Sequence, residues 1–142
     1  MRQIRRSVFE TASSSVHSLT IVAGDLVKSD YKDKSFEIFP GEFGWGYDKF
    51  TDSHTKASYC YTWLQYVHEN RERFQEMLVK AIKDHTGAFE VVFSKSTDSY
   101  WPEGYIDDQS TDLCTEVFES EDNIKNFIFN PQSTLIIDND NK

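Results

Sequence analysis

The sequence predicts a single α+β domain, and three observations carry that prediction. Thr51 to His68 has helical spacing: Ala57, Cys60, Tyr61, Leu64 and Val67 recur at i, i+3, i+4 and i+7, and Tyr59, Trp63 and Tyr66 widen the stripe past half the circumference. Two segments near opposite ends, Val16 to Val22 and Thr134 to Ile137, are rich in β-branched residues and read as strands. No internal repeat and no linker divides the 142 residues, a length that fits one domain with its own core. The expected architecture is a mixed or antiparallel sheet of about five strands packed on the central helix. A second amphipathic helix should lie outside and a short third helix near the C-terminus.

Arg2 to Phe9 reads as a first strand, followed by the hydroxyl-rich connection Glu10-Thr11-Ala12-Ser13-Ser14-Ser15. In the second strand His17, Leu19 and Ile21 share one face. A third strand is expected at Ser35 to Phe39, ended by Pro40-Gly41. Glu42-Phe43-Gly44-Trp45-Gly46-Tyr47 alternates glycine with large aromatics, which suits neither helix nor regular strand. An ordered aromatic loop is expected there, acting as a plug on the core or as a stacking platform.

The central helix has candidate N-caps in Thr51, Asp52 and Ser53 and a polar edge of Ser58, Thr62, Gln65 and Glu69. The second helix should run from about Arg71 to His85, with Phe74, Met77, Leu78, Ala81 and Ile82 inward, charged residues outward, and Gly87 ending it. Asn70 marks the break between the two, with a single bent helix as the alternative. Ala88 to Phe93 reads as a strand with Phe89, Val91 and Phe93 on one face, Ser94 to Asp112 as a long loop, and Leu113 to Phe118 as a short strand. Ser120 should cap a helix carrying Ile124, Phe127 and Ile128 inward and stopped at Asn130-Pro131. The continuously apolar Thr134 to Ile137 should be an interior strand, with residues 138–142 a frayed tail.

The charge is unevenly placed. Residues 1–95 hold thirteen acids and thirteen bases, whereas residues 96–142 hold eleven acids against Lys125 and Lys142, which accounts for the net −9. An acidic face repels phosphate backbones and attracts basic proteins, so direct nucleic-acid binding is not expected. No apolar run approaches the length of a membrane span, and Met-Arg-Gln-Ile-Arg-Arg lacks the apolar region of a secretory signal, so the expected location is the cytoplasm, with no membrane contact. Cys60 and Cys114 lack the spacing of a zinc or redox motif, and Cys60 falls on the apolar helix face as a core thiol.

Two clusters could carry chemistry. Arg5, Arg6, Thr11, Ser13, Ser14, Ser15 and His17 could converge hydroxyls, turn amides and guanidinium groups on an anion, or His17 could activate a serine with Glu10 orienting it. The competing reading is a structural turn. The second cluster joins Tyr100, Trp101 and Tyr105 to Asp107, Asp108 and Asp112, and aromatic anchors among carboxylates are what a protein-binding patch contains. Asp107, Asp108, Asp112 and Glu116 do not match the twelve-residue calcium loop, and His17, His54, His68 and His85 are scattered, so no metal or cofactor is expected.

The opening Arg-Arg-Ser-Val-Phe-Glu-Thr-Ala-Ser-Ser-Ser-Val-His-Ser-Leu-Thr-Ile, residues 5–21, resembles that of a family of small phage and prophage proteins. The similarity extends weakly to Gly-Glu-Phe-Gly-Trp at 41–45, to Phe129-Asn130-Pro131 and to Asp138-Asn139-Asp140, while those proteins usually carry asparagine where this chain has Ala12. The resemblance implies a phage-type origin, and small acidic phage proteins are often inhibitors of host or defence machinery. The function expected is therefore a non-enzymatic accessory protein that binds and inhibits a host or defence protein bearing a basic surface, in the host cytoplasm. The alternative is a small-ligand or nucleotide-binding protein, or a hydrolase, built on the N-terminal Ser/His/Arg cluster.

Overall fold

The computed structural model describes residues 2–6, 16–44, 47–95, 104–106 and 113–138. Along the chain the elements are β1 (Arg2–Arg6), β2 (Val16–Ile21), β3 (Ser35–Ile38), β4 (Glu42–Phe43), β5 (Tyr47–Phe50), α1 (Ser53–Leu64), α2 (Arg71–Thr86), β6 (Glu90–Phe93), β7 (Tyr105–Ile106), α3 (Glu121–Phe129) and β8 (Thr134–Asp138). Two 3-10 turns, Leu113–Thr115 and Val117–Glu119, precede α3. The α+β class is the one the sequence predicts.

Among the described residues the strands divide into three sheets, where one of about five strands is expected. β1, β2, β8 and β5 form, in that order, a four-stranded antiparallel sheet. β3 pairs with β6, and β4 with β7, each pair parallel. In the large sheet His17 lies opposite Ile137 and Leu19 opposite Leu135, and all four are buried. Their alternation along β2 and β8 turns one apolar face inward, and β8 is interior as predicted.

Asp52 caps α1 by accepting from the Thr55 amide at 2.8 Å, and Ser120 caps α3 from Asn123 at 3.0 Å. Gly87, at φ 75°, ends α2 in the left-handed conformation. The central helix ends at Leu64, four residues short of the expected His68. The amides of Gln65, Tyr66 and Val67 turn to carbonyls three residues back, and Asn70 at φ 64° then redirects the chain into α2. α1 and α2 are therefore separate helices and not one bent helix.

Three further expectations are corrected. Leu113 to Phe118 forms 3-10 turns because Cys114, Glu116, Val117 and Phe118 are all buried, a pattern without the two-residue alternation of a strand. Phe89 lies outside β6 and is 60% exposed, since pairing with β3 begins at Glu90 opposite Ser35. The aromatic segment after Pro40 contributes two short strands, β4 and the start of β5, where no regular strand is expected.

α1, α2 and α3 pack on one another, with α3 against β2 and α1 against β3 and β7. Trp63 stacks on Phe118 at 5.5 Å between centroids and Phe74 on Phe118 at 5.2 Å, which ties α1, α2 and the second 3-10 turn together. The outer face of α2 is charged and exposed, as predicted. His85 near its end donates from Nε2 to the Val27 carbonyl at 2.6 Å, a structural role. Among the described residues no helix is long and apolar enough to cross a membrane.

Candidate functional site

Lys56 lies within the apolar stripe of α1, at i relative to Tyr59, Cys60 and Trp63 at i+3, i+4 and i+7, and its side chain is wholly buried. Nζ donates to the Asn130 carbonyl at 2.8 Å and the Ser133 carbonyl at 2.9 Å, and sits 5.7 Å from the centre of the Phe127 ring. Burial lowers the amine to about 8, against the opposing pull of Asp52. Both acceptors sit in a polar knot: the Asn130 amide donates to the Val22 carbonyl at 2.7 Å, and the Ser133 hydroxyl accepts from the Val22 amide at 2.7 Å. With two of its three N–H donors on carbonyls, the Phe127 ring nearby and no exposure, this amine joins α1 to the chain between α3 and β8, a structural task.

One of the concave surfaces among the described residues lies against the N-terminal half of α1. A cleft of about 370 Å³ is walled by Glu37 of β3, Phe39 beyond it, Glu42 and Phe43 of β4, Phe50 of β5, and the first turns of α1. The polar edge of α1 builds the cleft wall. The Ser58 hydroxyl donates to the Phe39 carbonyl, the Gly41 amide donates to Thr62 Oγ1 at 3.0 Å, and the Thr62 hydroxyl donates to the Ser58 carbonyl at 2.8 Å. Thr62 thus serves both as acceptor and donor, and the 39–41 turn is fastened along the helix. Gly41 permits the fit, because a Cβ there would lie 2.9 Å from the Phe43 ring.

Phe43, only 5% exposed, meets Phe50 edge to face at 6.0 Å and Tyr59 at 4.9 Å. Behind it the Tyr59 hydroxyl and His17 Nδ1 are 2.7 Å apart in a buried hydrogen bond. Toward solvent, Phe39 is 49% exposed. The Glu37 carboxylate accepts from the Ser94 hydroxyl at 2.6 Å. The His54 ring stacks on Phe36 at 4.7 Å and 4°, with Nε2 3.2 Å from the Tyr31 hydroxyl. Ser58 directs its proton to a backbone carbonyl, so the wall holds a hydroxyl fixed as a fastener in place of a nucleophile activated by a base. Rings and carboxylates suit a cation.

Of the predicted anion-binding residues, Thr11, Ser13, Ser14 and Ser15 lie outside the described residues. The backbones of Arg5 and Arg6 lie on β1, opposite Ser18 and His17. His17 is fully buried, facing Tyr59. Of the predicted partner-binding residues, Tyr100, Trp101, Asp107, Asp108 and Asp112 lie outside the described residues. Tyr105 is on β7, paired with Glu42, and Ile106 is paired with Phe43. This pairing brings the aromatic segment after Pro40 together with the segment that leads directly into Asp107 and Asp108. Gly104 makes it possible: at φ 86°, a Cβ there would lie 2.7 Å from Thr62 Cγ2 and 2.9 Å from Pro40 Cβ. No group of three metal-ligating side chains occurs among the described residues.

Sequence reasoning placed no function on Glu37, Phe39, Phe50 or His54. The signal that pointed nearby was the glycine–aromatic alternation from Gly41 onward. The chain matches no model of a known protein family, no curated protein and no solved structure.

Proposed function

We propose that this chain is a small accessory protein of phage type that binds, and by binding inhibits, a host or defence protein through that protein's basic surface. The observation that carries the reading is the β4–β7 pairing. It sets a cleft of phenylalanines and carboxylates beside the strand that leads in sequence into Asp107 and Asp108. Aromatic anchors next to carboxylates match a partner that presents cations, and the opposed charges speed encounter. β5 adds to this face as an edge strand of the large sheet, with Tyr47 65% exposed. The resemblance of residues 5–21 to phage proteins supports the class of partner, and the setting is the host cytoplasm.

Affinity purification from infected host lysate, with mass spectrometry of both proteins and small molecules, tests the reading. The expected result is one stoichiometric protein whose association rate falls with salt and with Asp107→Asn plus Asp108→Asn, while Trp101→Ala raises the dissociation rate. Stabilisation by phosphorylated metabolites without a protein partner would favour a ligand-binding protein instead.

A further inference from the structure

We infer that the cleft between β3, β4 and α1 seats one guanidinium group, supplied by an arginine side chain of the bound protein. The inference rests on the protein-binding reading above and names the chemistry of its central contact. Four features of the cleft carry it.

The first is charge. The cleft's described lining contains the exposed Glu37 carboxylate and no lysine or arginine, so Glu37 repels a phosphate or carboxylate and attracts a cation. The second is the ring set. Phe39, Phe43 and Phe50 line the cleft, and the faces of aromatic rings attract a cation, Phe39 being the most accessible of the three. The third is acceptor capacity. The Glu37 carboxylate takes one hydrogen bond from Ser94, whereas an ionised carboxylate has about four lone-pair sites. A planar fork of N–H donors matches that geometry better than a compact ammonium does. The fourth is size: at about 370 Å³ the cleft stands near the small end of ligand pockets, enough for one long side chain.

The walls are also held before any ligand arrives. The 39–41 turn is bound to Ser58 and Thr62, and Phe43 is wedged between Phe50 and Tyr59, so little side-chain freedom is lost on binding. Of the three phenylalanines, Phe39 is the exposed one and lies at the cleft's solvent side.

The test is a titration of 15N-labelled protein with N-acetylarginine amide, N-acetyllysine amide and N-acetylcitrulline amide, followed by amide chemical shifts. The arginine probe should shift Gly41, Phe43, Phe50 and Ser58 in a saturable, millimolar-range transition, the lysine probe should bind more weakly, and citrulline, flat but uncharged, should leave these amides in place. Glu37→Gln and Phe39→Ala, both at exposed positions, should each weaken the arginine transition by about threefold with melting temperature unchanged. Equal shifts from citrulline, lysine binding as tight as arginine, shifts confined to other surfaces, or variants without effect would each overturn the inference. The two readings fail separately. A basic partner captured with affinity indifferent to both variants overturns the role of the cleft alone, whereas arginine seated in the cleft of a protein that captures no basic partner overturns the inhibitor reading alone.

Discussion

Gly104 approaches Gly41 so closely that a Cβ on Gly104 would lie 2.8 Å from the Gly41 carbonyl oxygen. Phe43 of β4 and its partner Ile106 of β7 lie 63 positions apart in sequence, as do Glu42 and Tyr105, so the contact is purely tertiary. β4, which walls the cleft, and β7 pair only because no side chain stands between these two backbones.

Gly104→Ala should therefore lower stability by about 1–3 kcal/mol, combining strain at a positive φ with a clash against Thr62, Pro40 and Gly41. Urea denaturation measures it. A neutral effect would mean that β7 does not need the close approach.

Lys56→Met should cost about 2 kcal/mol at neutral pH, because the Asn130 and Ser133 carbonyls lose their donor. The pH dependence has a definite sign. The folded amine is lowered to about 8 from 10.5, so between those values the unfolded chain holds more protons than the folded one, and stability contributed through Lys56 rises with pH. The stability gap between wild type and Lys56→Met should accordingly widen from pH 7.5 toward pH 10 in parallel melts. A gap that narrows over this window would contradict the buried position of the amine.

The features tied to local periodicity were legible in the sequence. The α1 stripe, the Asp52 and Ser120 caps, the Gly87 terminus and the interior β8 each depend on residues within a few positions of one another. Lys56 was hidden by its own charge: it occupies a core position of the stripe, but nothing local shows that two carbonyls wait 74 and 77 residues away. Ser58 and Thr62 form the polar edge that the pattern predicts, and the structure uses that edge to grip the 39–41 turn. The division into three sheets, and with it the cleft, follows from parallel pairings between distant two- to four-residue strands, which leave no periodic trace. The serine cluster and the Trp101 loop, expected from composition, lie outside the described residues, and of the two clusters only Arg5, Arg6, His17 and Tyr105 are placed.

Tyr59→Phe should lose about 1 kcal/mol by leaving the buried His17 nitrogen without the tyrosine hydroxyl, and His17→Ala should lose more, since it also opens space beside Tyr59. Thermal melts check both. A His17→Ala protein as stable as wild type would remove the histidine from the core and return it to the candidate surface groups of the N-terminal cluster.

Hydrogen exchange of the protein, alone and in complex with the partner it captures, tests the central claim most directly. Binding through the cleft and the β4–β7 face predicts slowed exchange at Phe39, Gly41 to Phe43 and Gly104 to Ile106, with the outer face of α2 unchanged. Protection on α2 with none at these two segments would contradict it.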